Sequence, residues 1–403
     1  MRLQNQNIHK ILIAPDKFKG SLTSSQAAQA IQRGIEERVA EEGNAGFPLQ
    51  FRIIEIADGG DGSLEVLQKK IPGAEIEPVM VHDPLGREVI SQILLYRAVK
   101  GENGVDTAPG EGQLCAFIEM AKVSGLEMLA KGERNPLYTS TYGMGEAIEA
   151  AIARGAKEIT LSIGGSATND GGAGMLQALG YRFIDSSGRE IASPICGGGL
   201  QTVAAIAAPG EAGLQKLQDV KFKVICDVTN PLLGPHGATA VYGPQKGADA
   251  SALDILETGL ENYAAVAEKC LGVPVQAKGY PGAGAAGGVG YAGLAFLGAE
   301  LISGWKFFAQ ITSLEESVQW ADLVITGEGS LDSQSLSGKV VSGILTLASK
   351  YDKQVMIFCG ASKLSPAELG GIPCFPIASL GLPLETCIRD AAMLLQQLAR
   401  ENV

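Results

Sequence analysis

Three short segments crowd carboxylates and ammonium groups between glycines: Pro15-Asp-Lys-Phe-Lys-Gly-Ser21, Asp58-Gly-Gly-Asp-Gly62 and Gly327-Glu-Gly-Ser-Leu-Asp332. Carboxylates gathered at one place repel one another and need a cation or a proton between them. Mg2+ is a suitable guest, because it binds through one or two carboxylates together with phosphate oxygens. Chemistry at a phosphoryl group needs that metal, positive side chains and a group that orients the attacking hydroxyl. The residue types supply each part. Glu328 and Asp332 are candidates for the metal, and Asp58 and Asp61 for orienting a hydroxyl and taking its proton. Lys19 and Lys339, the latter in Ser337-Gly-Lys339, can neutralise a transferred group, and Asp16 can contact substrate. Each lysine also fits a solvated surface position. Asp58 and Asp61 also fit helix caps.

A second kind of site is written in Gly164-Gly-Ser-Ala-Thr-Asn-Asp-Gly-Gly172, between the apolar run 158–163 and a helical pattern from Ala173. Glycines allow close backbone approach. Ser166, Thr168 and Asn169 add neutral donors, and the N–H groups of a helix start favour an anion. Gly164, Gly165, Ser166, Thr168, Asn169 and Asp170 are therefore candidates for holding a phosphoryl or carboxylate group. A turn that only caps a helix has the same composition. Asp227 and Asn230 in Cys226-Asp-Val-Thr-Asn-Pro231, and Lys246 in Gly243-Pro-Gln-Lys-Gly247, are further candidates for the same cleft. Asx-Pro turn chemistry explains Asn230 equally well.

Strands and helices must bring these segments together. Apolar runs at 10–14, 51–57, 321–326 and 354–359 read as strands. Helical patterns fall at 23–39, 62–70, 337–350 and 384–401. Such alternation implies an α/β fold with an open parallel sheet covered on both faces. The loops after its strands then lie along one edge, beyond the carboxyl ends, where ligands bind. The middle of the chain differs, with a hairpin signal at His82-Asp-Pro-Leu-Gly86 and longer irregular connections. The expected organisation is a discontinuous sheet domain from residues 1–76 plus 281–403 and an inserted mixed α/β domain at 77–280.

Composition excludes several classes. A net charge of −12 over 403 residues, without a basic run, gives no counterion-release term for nucleic acid. Seven cysteines without CxxC spacing read as reduced residues of a cytoplasmic protein, and three histidines form no metal cluster with them. The first ten residues hold no apolar secretion signal. The uncharged stretch 280–299 is too rich in glycine to span a membrane and reads as a closely packed helix. Gly282-Ala-Gly-Ala-Ala-Gly287 matches a dinucleotide fingerprint only in spacing, because no strand precedes it. Neither a phosphate-binding P-loop nor a nucleophile elbow occurs.

Six segments in order, from Ala14-Pro-Asp-Lys-Phe-Lys-Gly-Ser21 through Ala57-Asp-Gly-Gly-Asp-Gly62, Gly164-Gly-Ser-Ala-Thr-Asn-Asp-Gly-Gly-Ala-Gly174, Cys226-Asp-Val-Thr-Asn-Pro231 and Gly243-Pro-Gln-Lys-Gly247 to Thr326-Gly-Glu-Gly329, resemble the type-1 glycerate kinase family. The resemblance runs from about residue 10 onward. Lys17 and Asp61 depart from the Ser and Glu often found there. It implies ATP- and Mg2+-dependent phosphorylation of D-glycerate, with 2-phosphoglycerate favoured, and a Rossmann- or flavodoxin-like domain with a mixed inserted domain. The working expectation is a site between the two domains. A kinase for another small hydroxy acid needs the same parts, whereas a non-catalytic sensor of a phosphorylated metabolite needs only the anion loop. Which hydroxyl reacts and the oligomeric state stay open.

Overall fold

The computed structural model describes residues 8–41, 49–56, 59, 60, 62–101, 104–106, 112–192, 194–333, 335, 336 and 339–403. Among its elements, in chain order, are β1 (Lys10–Ile13), α1 (Ser24–Glu41), β2 (Gln50–Ile53), α2 (Ser63–Lys70), β3 (Glu75–His82), β4 (Glu88–Gly101), β5 (Gln113–Glu119), α3 (Met120–Val123), α4 (Tyr142–Ala153), β6 (Glu158–Ser162), α5 (Ala173–Ala178), β7 (Lys221–Ile225), α6 (Ala250–Leu271), α7 (Val289–Phe296), β8 (Glu300–Ile302), β9 (Leu323–Thr326), α8 (Val340–Lys350), β10 (Gln354–Cys359), β11 (Cys374–Pro376) and α9 (Ala391–Asn402). The chain divides into two compact units, Met1–Asp58 with Trp305–Val403, and Gly59–Gly304.

In the first unit five strands pair in parallel in the order β11-β10-β9-β1-β2. Counted within the unit this is the flavodoxin-like order 2-1-3-4-5, whose winding reverses between the first and third strands. Period-two alternation decides which face each side chain covers. Ile11, Ile13, Leu323, Ile325, Met356 and Phe358 join Ala27, Ile31 and Ile35 of α1 and Leu394, Leu395 and Leu398 of α9 in one core. Ile357 and Cys359 turn the other way, to Val341 of α8, Leu331 and Leu369. Burying each large aliphatic side chain contributes roughly 1.5–3 kcal/mol. Helix α1 opens on a capping box: Thr23 N–H donates to Gln26 Oε1 at 2.9 Å, and Gln26 N–H donates back to Thr23 Oγ1 at 3.2 Å.

The second unit is built on a mixed sheet in the order β8-β7-β6-β5-β4-β3. β5, β6, β7 and β8 are parallel, while β4 runs antiparallel to β3 and β5. The hairpin expected at 82–86 joins β3 to β4. His82 lies opposite Glu88, and the Asp83 carboxylate accepts from the Leu85 and Arg87 N–H groups. Residues 59–76 and 281–304 fall in this unit rather than with the outer pieces, which differs from the expected boundary. The reason is local: β8 pairs with β7, and the start of α2 is bonded to the end of β5.

The stretch 280–299 is not one continuous helix. Positive φ at Gly287 and Gly288 (68° and 97°) ends a 3-10 turn, and only the eight residues of α7 follow as α-helix. No helix among the described residues is long and apolar enough to cross a membrane.

Candidate active site

The winding of the first unit reverses between β1 and β9, and two of the acidic segments meet there. Ala14 N–H donates to Ile325 O and Asp16 N–H to Gly327 O, both at 2.8 Å, and Thr326 Oγ1 donates to Ala14 O at 3.0 Å. Gly329 lies so near the turn after β1 that a side chain there would sit 3.1 Å from Phe18 Cα and Lys19 N. The loop after β10 joins them, with Gly360 N–H on Glu328 O and Ala361 N–H on Gly329 O, each at 3.1 Å. Any side chain at Gly327 would collide with the Phe358 carbonyl oxygen. Glycine at 327 is therefore required by the lacing of three loops. Asp16, Lys17, Lys19 and Glu328 are brought together on one edge. Phe18 is buried beneath that edge and Lys19 is exposed above it. Asp16 is nearly buried and takes the Lys17 N–H at 2.7 Å.

Asp332 and Lys339 belong to the same unit. The Asp332 N–H donates to Ser335 Oγ at 3.0 Å, in a turn after the short ladder Ser330–Leu331. Lys339 stands at the start of α8, its N–H on Ser342 Oγ at 3.0 Å. That helix begins at Val340 rather than at 337. Among the described residues no group of three or more His, Cys, Asp or Glu side chains forms a metal cage. Mg2+ that completes its shell with phosphate oxygens and water needs only one or two carboxylates. Glu328 and Asp332 are half-buried, so neither carboxylate is shut off from solvent.

The glycine segment after residue 58 is tied to the second unit. Asp58 and Asp61 lie outside the described residues, but Gly59, Gly60 and Gly62 rest across the carboxyl ends of β5, β6 and β7. Ser162 Oγ, at the end of β6, donates to Gly59 O. A side chain on Gly164 would lie 3.0 Å from Gly59 O and Gly60 Cα, and one on Gly59 would strike Ile225 at the end of β7. Ser63 Oγ donates to Gly60 O at 2.6 Å. Glu119, the last residue of β5, accepts the Gly62 N–H at 2.9 Å and the Leu64 N–H at 3.1 Å. Glu119 is fully buried, and burial pushes its carboxyl up to about 7. Sequence reasoning missed this residue. The one signal was a carboxylate ending an apolar strand, Leu114-Cys-Ala-Phe-Ile-Glu119.

Residues 164–172 turn part of the expected anion cradle inward. Thr168, Asn169 and Asp170 are fully buried. One Asp170 carboxylate accepts Thr141 N–H and Thr141 Oγ1–H at 2.8 Å, Gly172 N–H at 3.1 Å and Gly174 N–H at 3.2 Å. Met175 N–H donates to Thr141 Oγ1 at 2.9 Å. The N–H groups at the start of α5 are thus already met by an anion the loop supplies itself. Burial raises the Asp170 carboxyl above its ordinary value despite these donors. Lys246 is buried too and donates to Thr168 O at 2.6 Å. Burial lowers its ammonium to about 7, against the pull of Asp170. Asn169 Nδ2 donates to Thr239 Oγ1 at 3.0 Å. Only Gly164, Gly165 and the edge of Ser166 reach the surface.

Asp227 and Asn230 also serve as struts. Asp227 Oδ1 accepts Ser303 Oγ–H and the Gly304 N–H, both at 2.9 Å. Asn230 Nδ2 donates to His236 O at 2.8 Å, and its Oδ1 accepts the Tyr242 hydroxyl at 2.7 Å. The Gly282–Gly287 match is a packing device. Gly287 abuts Thr168 O, where any side chain would collide, and its own carbonyl takes the Gly171 N–H at 2.9 Å.

A sequence profile described as the glycerate kinase family matches residues 11–403. The chain belongs to that family. It is 43% identical to the glycerate kinase of Bacillus subtilis (strain 168) over 396 residues, covering 97% of this chain and 96% of that protein. It is 44% identical to the glycerate 2-kinase of Escherichia coli (strain K12) over 353 residues, covering 87% and 85%. A crystal structure assigned as glycerate kinase 2 from Salmonella typhimurium LT2 superposes with a TM-score of 0.73 at 38% identity, covering 98% of this chain and 97% of that one. The chain is therefore an enzyme, a kinase of this family, and ATP is the phosphoryl donor that the family implies.

Proposed function

We propose that this enzyme transfers the γ-phosphoryl group of ATP to a hydroxyl of D-glycerate, with Mg2+ bound beside the nucleotide and 2-phosphoglycerate the favoured product. The observation that carries the reading is the backbone lacing of residues 14–19 to residues 325–329, which gathers acidic and basic side chains where the winding of a parallel sheet reverses.

Phosphoryl transfer leaves the protein little covalent chemistry, so its work is positioning and electrostatic stabilisation. Lys19, exposed on the turn after β1, and Lys339, at the start of α8, neutralise charge on the transferred group. Glu328 and Asp332 hold the metal, directly or through water. When bound, Mg2+ offsets the charge that develops on the phosphate oxygens. Asp58 or Asp61 orients the glycerate hydroxyl and accepts its proton. The outward backbone of Gly164, Gly165 and Ser166 holds an anion, either the glycerate carboxylate or a phosphate. Thr168, Asn169, Asp170 and Lys246 stiffen that turn from behind. Asp16 sets the turn that presents Lys17 and Lys19.

Incubation with ATP, Mg2+ and D-glycerate, followed by phosphorus NMR, tests the proposal. A phosphate on the secondary carbon couples to one proton and gives a doublet. One on the primary carbon couples to two and gives a triplet. ADP release with other small hydroxy acids but not with glycerate would overturn the substrate assignment.

A further inference from the structure

The start of α2 is capped in an unusual way. Its N-cap residue is Gly62, at φ 89°, with no side chain to accept an N–H. The missing acceptor comes from another strand. Glu119, 55 to 57 residues away in sequence, takes the Gly62 and Leu64 N–H groups on its two carboxylate oxygens. A Ser or Asp at position 62 cannot supply it without strain, because φ 89° suits glycine there, so the acceptor must come from outside the turn. The fold buries a carboxylate completely, against its desolvation cost. The glycine turn and the buried carboxylate that caps it therefore form one unit, next in sequence to Asp58 and Asp61.

We propose that Glu119 is a positioning residue: by holding Gly62 and Leu64 it fixes the backbone that follows Asp61 in the sequence, and Asp58 and Asp61 adjoin Gly59, Gly60 and Gly62 there. The inference rests on the reading above, in which one of those two carboxylates orients the substrate hydroxyl. Among the described residues, three side chains hold these glycines, namely Ser162 on Gly59 O, Ser63 on Gly60 O, and Glu119 on the Gly62 N–H. Of the three, Glu119 alone titrates near neutrality. Its ionisable neighbours among the described residues are Lys122 on α3, which favours the charged form, and Glu65 on α2, which opposes it. Those two are paired with each other at 2.7 Å. Ionised, Glu119 offers an acceptor to both N–H groups. Protonated, one oxygen becomes a hydroxyl and a weaker acceptor, so the bond from one N–H weakens. The hold on the segment therefore loosens as pH falls through about 7.

The test uses the full chain and two variants, Glu119→Gln and Glu119→Asp. Measured are kcat and KM for glycerate and ATP across pH, thermal unfolding over the same range, and amide exchange at Gly62 and Leu64. In Glu119→Gln, kcat at pH 8 falls about tenfold or more while KM for ATP stays within about threefold. The acid limb near pH 7 disappears from its kcat profile, and the Gly62 and Leu64 amides exchange faster. Its unfolding temperature at pH 8 does not fall, because the buried charge has gone. Glu119→Asp keeps an ionisable group and recovers part of kcat together with an acid limb. Unchanged turnover in Glu119→Gln overturns the proposal. So does a parallel loss of turnover and stability with the acid limb intact. Should Glu119→Gln not fold, the parent and Glu119→Asp profiles decide: an acid limb missing from both overturns it. Failure of the parent to phosphorylate glycerate would instead sink the substrate reading. Protection of the Gly62 and Leu64 amides, taken relative to their intrinsic exchange rates, high at pH 8 and lower toward pH 6 in the parent but not in Glu119→Gln, would then still decide the role of Glu119.

Discussion

Replacing Asp170 by Asn separates a ligand-binding loop from a self-capped one. The Asp170 carboxylate accepts four hydrogen bonds in a fully buried position. The amide of Asn offers a single oxygen with two lone pairs, so about two of the four donors lose their acceptor. Each such loss costs about 1–3 kcal/mol, partly offset because the buried charge is removed. A net loss of roughly 3 kcal/mol follows, which lowers Tm by about 6–12 °C in a domain of this size. The substitution also removes the charge that supports protonation of buried Lys246, so that ammonium titrates lower still. Differential scanning calorimetry measures the first effect, and steady-state kinetics below the transition measures whether ligands notice. KM for glycerate and ATP should stay within about threefold of the parent. An unchanged Tm with KM raised tenfold or more would refute the reasoning and return Asp170 to the ligand-binding role its sequence context suggests.

Three further outcomes are expected. Lys19→Ala and Asp58→Asn each lower kcat by about 10²–10³, the range for losing one contact specific to the transition state, with Tm unmoved. Near-normal ADP release by both with glycerate saturating would remove those roles. Gly327→Ala forces β9 and β10 apart at Phe358 O and costs about 3 kcal/mol or more, whereas Gly210→Ala, which meets open space, stays within about 0.5 kcal/mol. Equal Tm values for the two variants would contradict the lacing. The Lys246 ammonium is lowered by burial to about 7. Between that value and its ordinary range near 10.5 the unfolded chain binds a proton that the native chain does not, so stability rises with pH in this window and is lost as pH falls through about 7. Lys246→Met removes that dependence, and the stability of the parent relative to the variant should therefore grow from about pH 7 to about pH 10, read from denaturant midpoints. A difference that stays flat with pH would exclude the buried ammonium.

Which features were legible in the sequence follows from the range of the interactions that decide them. The runs that became β1, β9 and β10 announce themselves, because strands buried on both faces must be apolar throughout, as Ile11, Leu12 and Ile13 are. The hairpin at 82–86 needs only the turn chemistry of Asp83 and its near neighbours. Rejection of the fingerprint at 282–287 rests likewise on a local fact, the missing strand, and the structure supplies the reason for its glycines in their contact with Thr168 and Gly171. The site is different. Nothing within several residues of Asp170 shows whether it points at a ligand or at the protein. Thr141, 29 residues earlier, decides that, and only folding brings it there. The glycines after Asp58 follow a strand of the first unit in sequence, yet Glu119 and Ser162, 57 and 103 residues distant, anchor them to the second. The same limit explains why an inventory of acidic and basic residues found the reaction class but not which of them the fold turns inward. Composition fixes which charges are available, whereas burial and hydrogen bonding decide which hold the backbone: Asp170 and Lys246 are buried in the scaffold, half-buried Asp227 bonds Ser303 and Gly304, and Lys19 is exposed and Glu328 half-buried at the sheet edge.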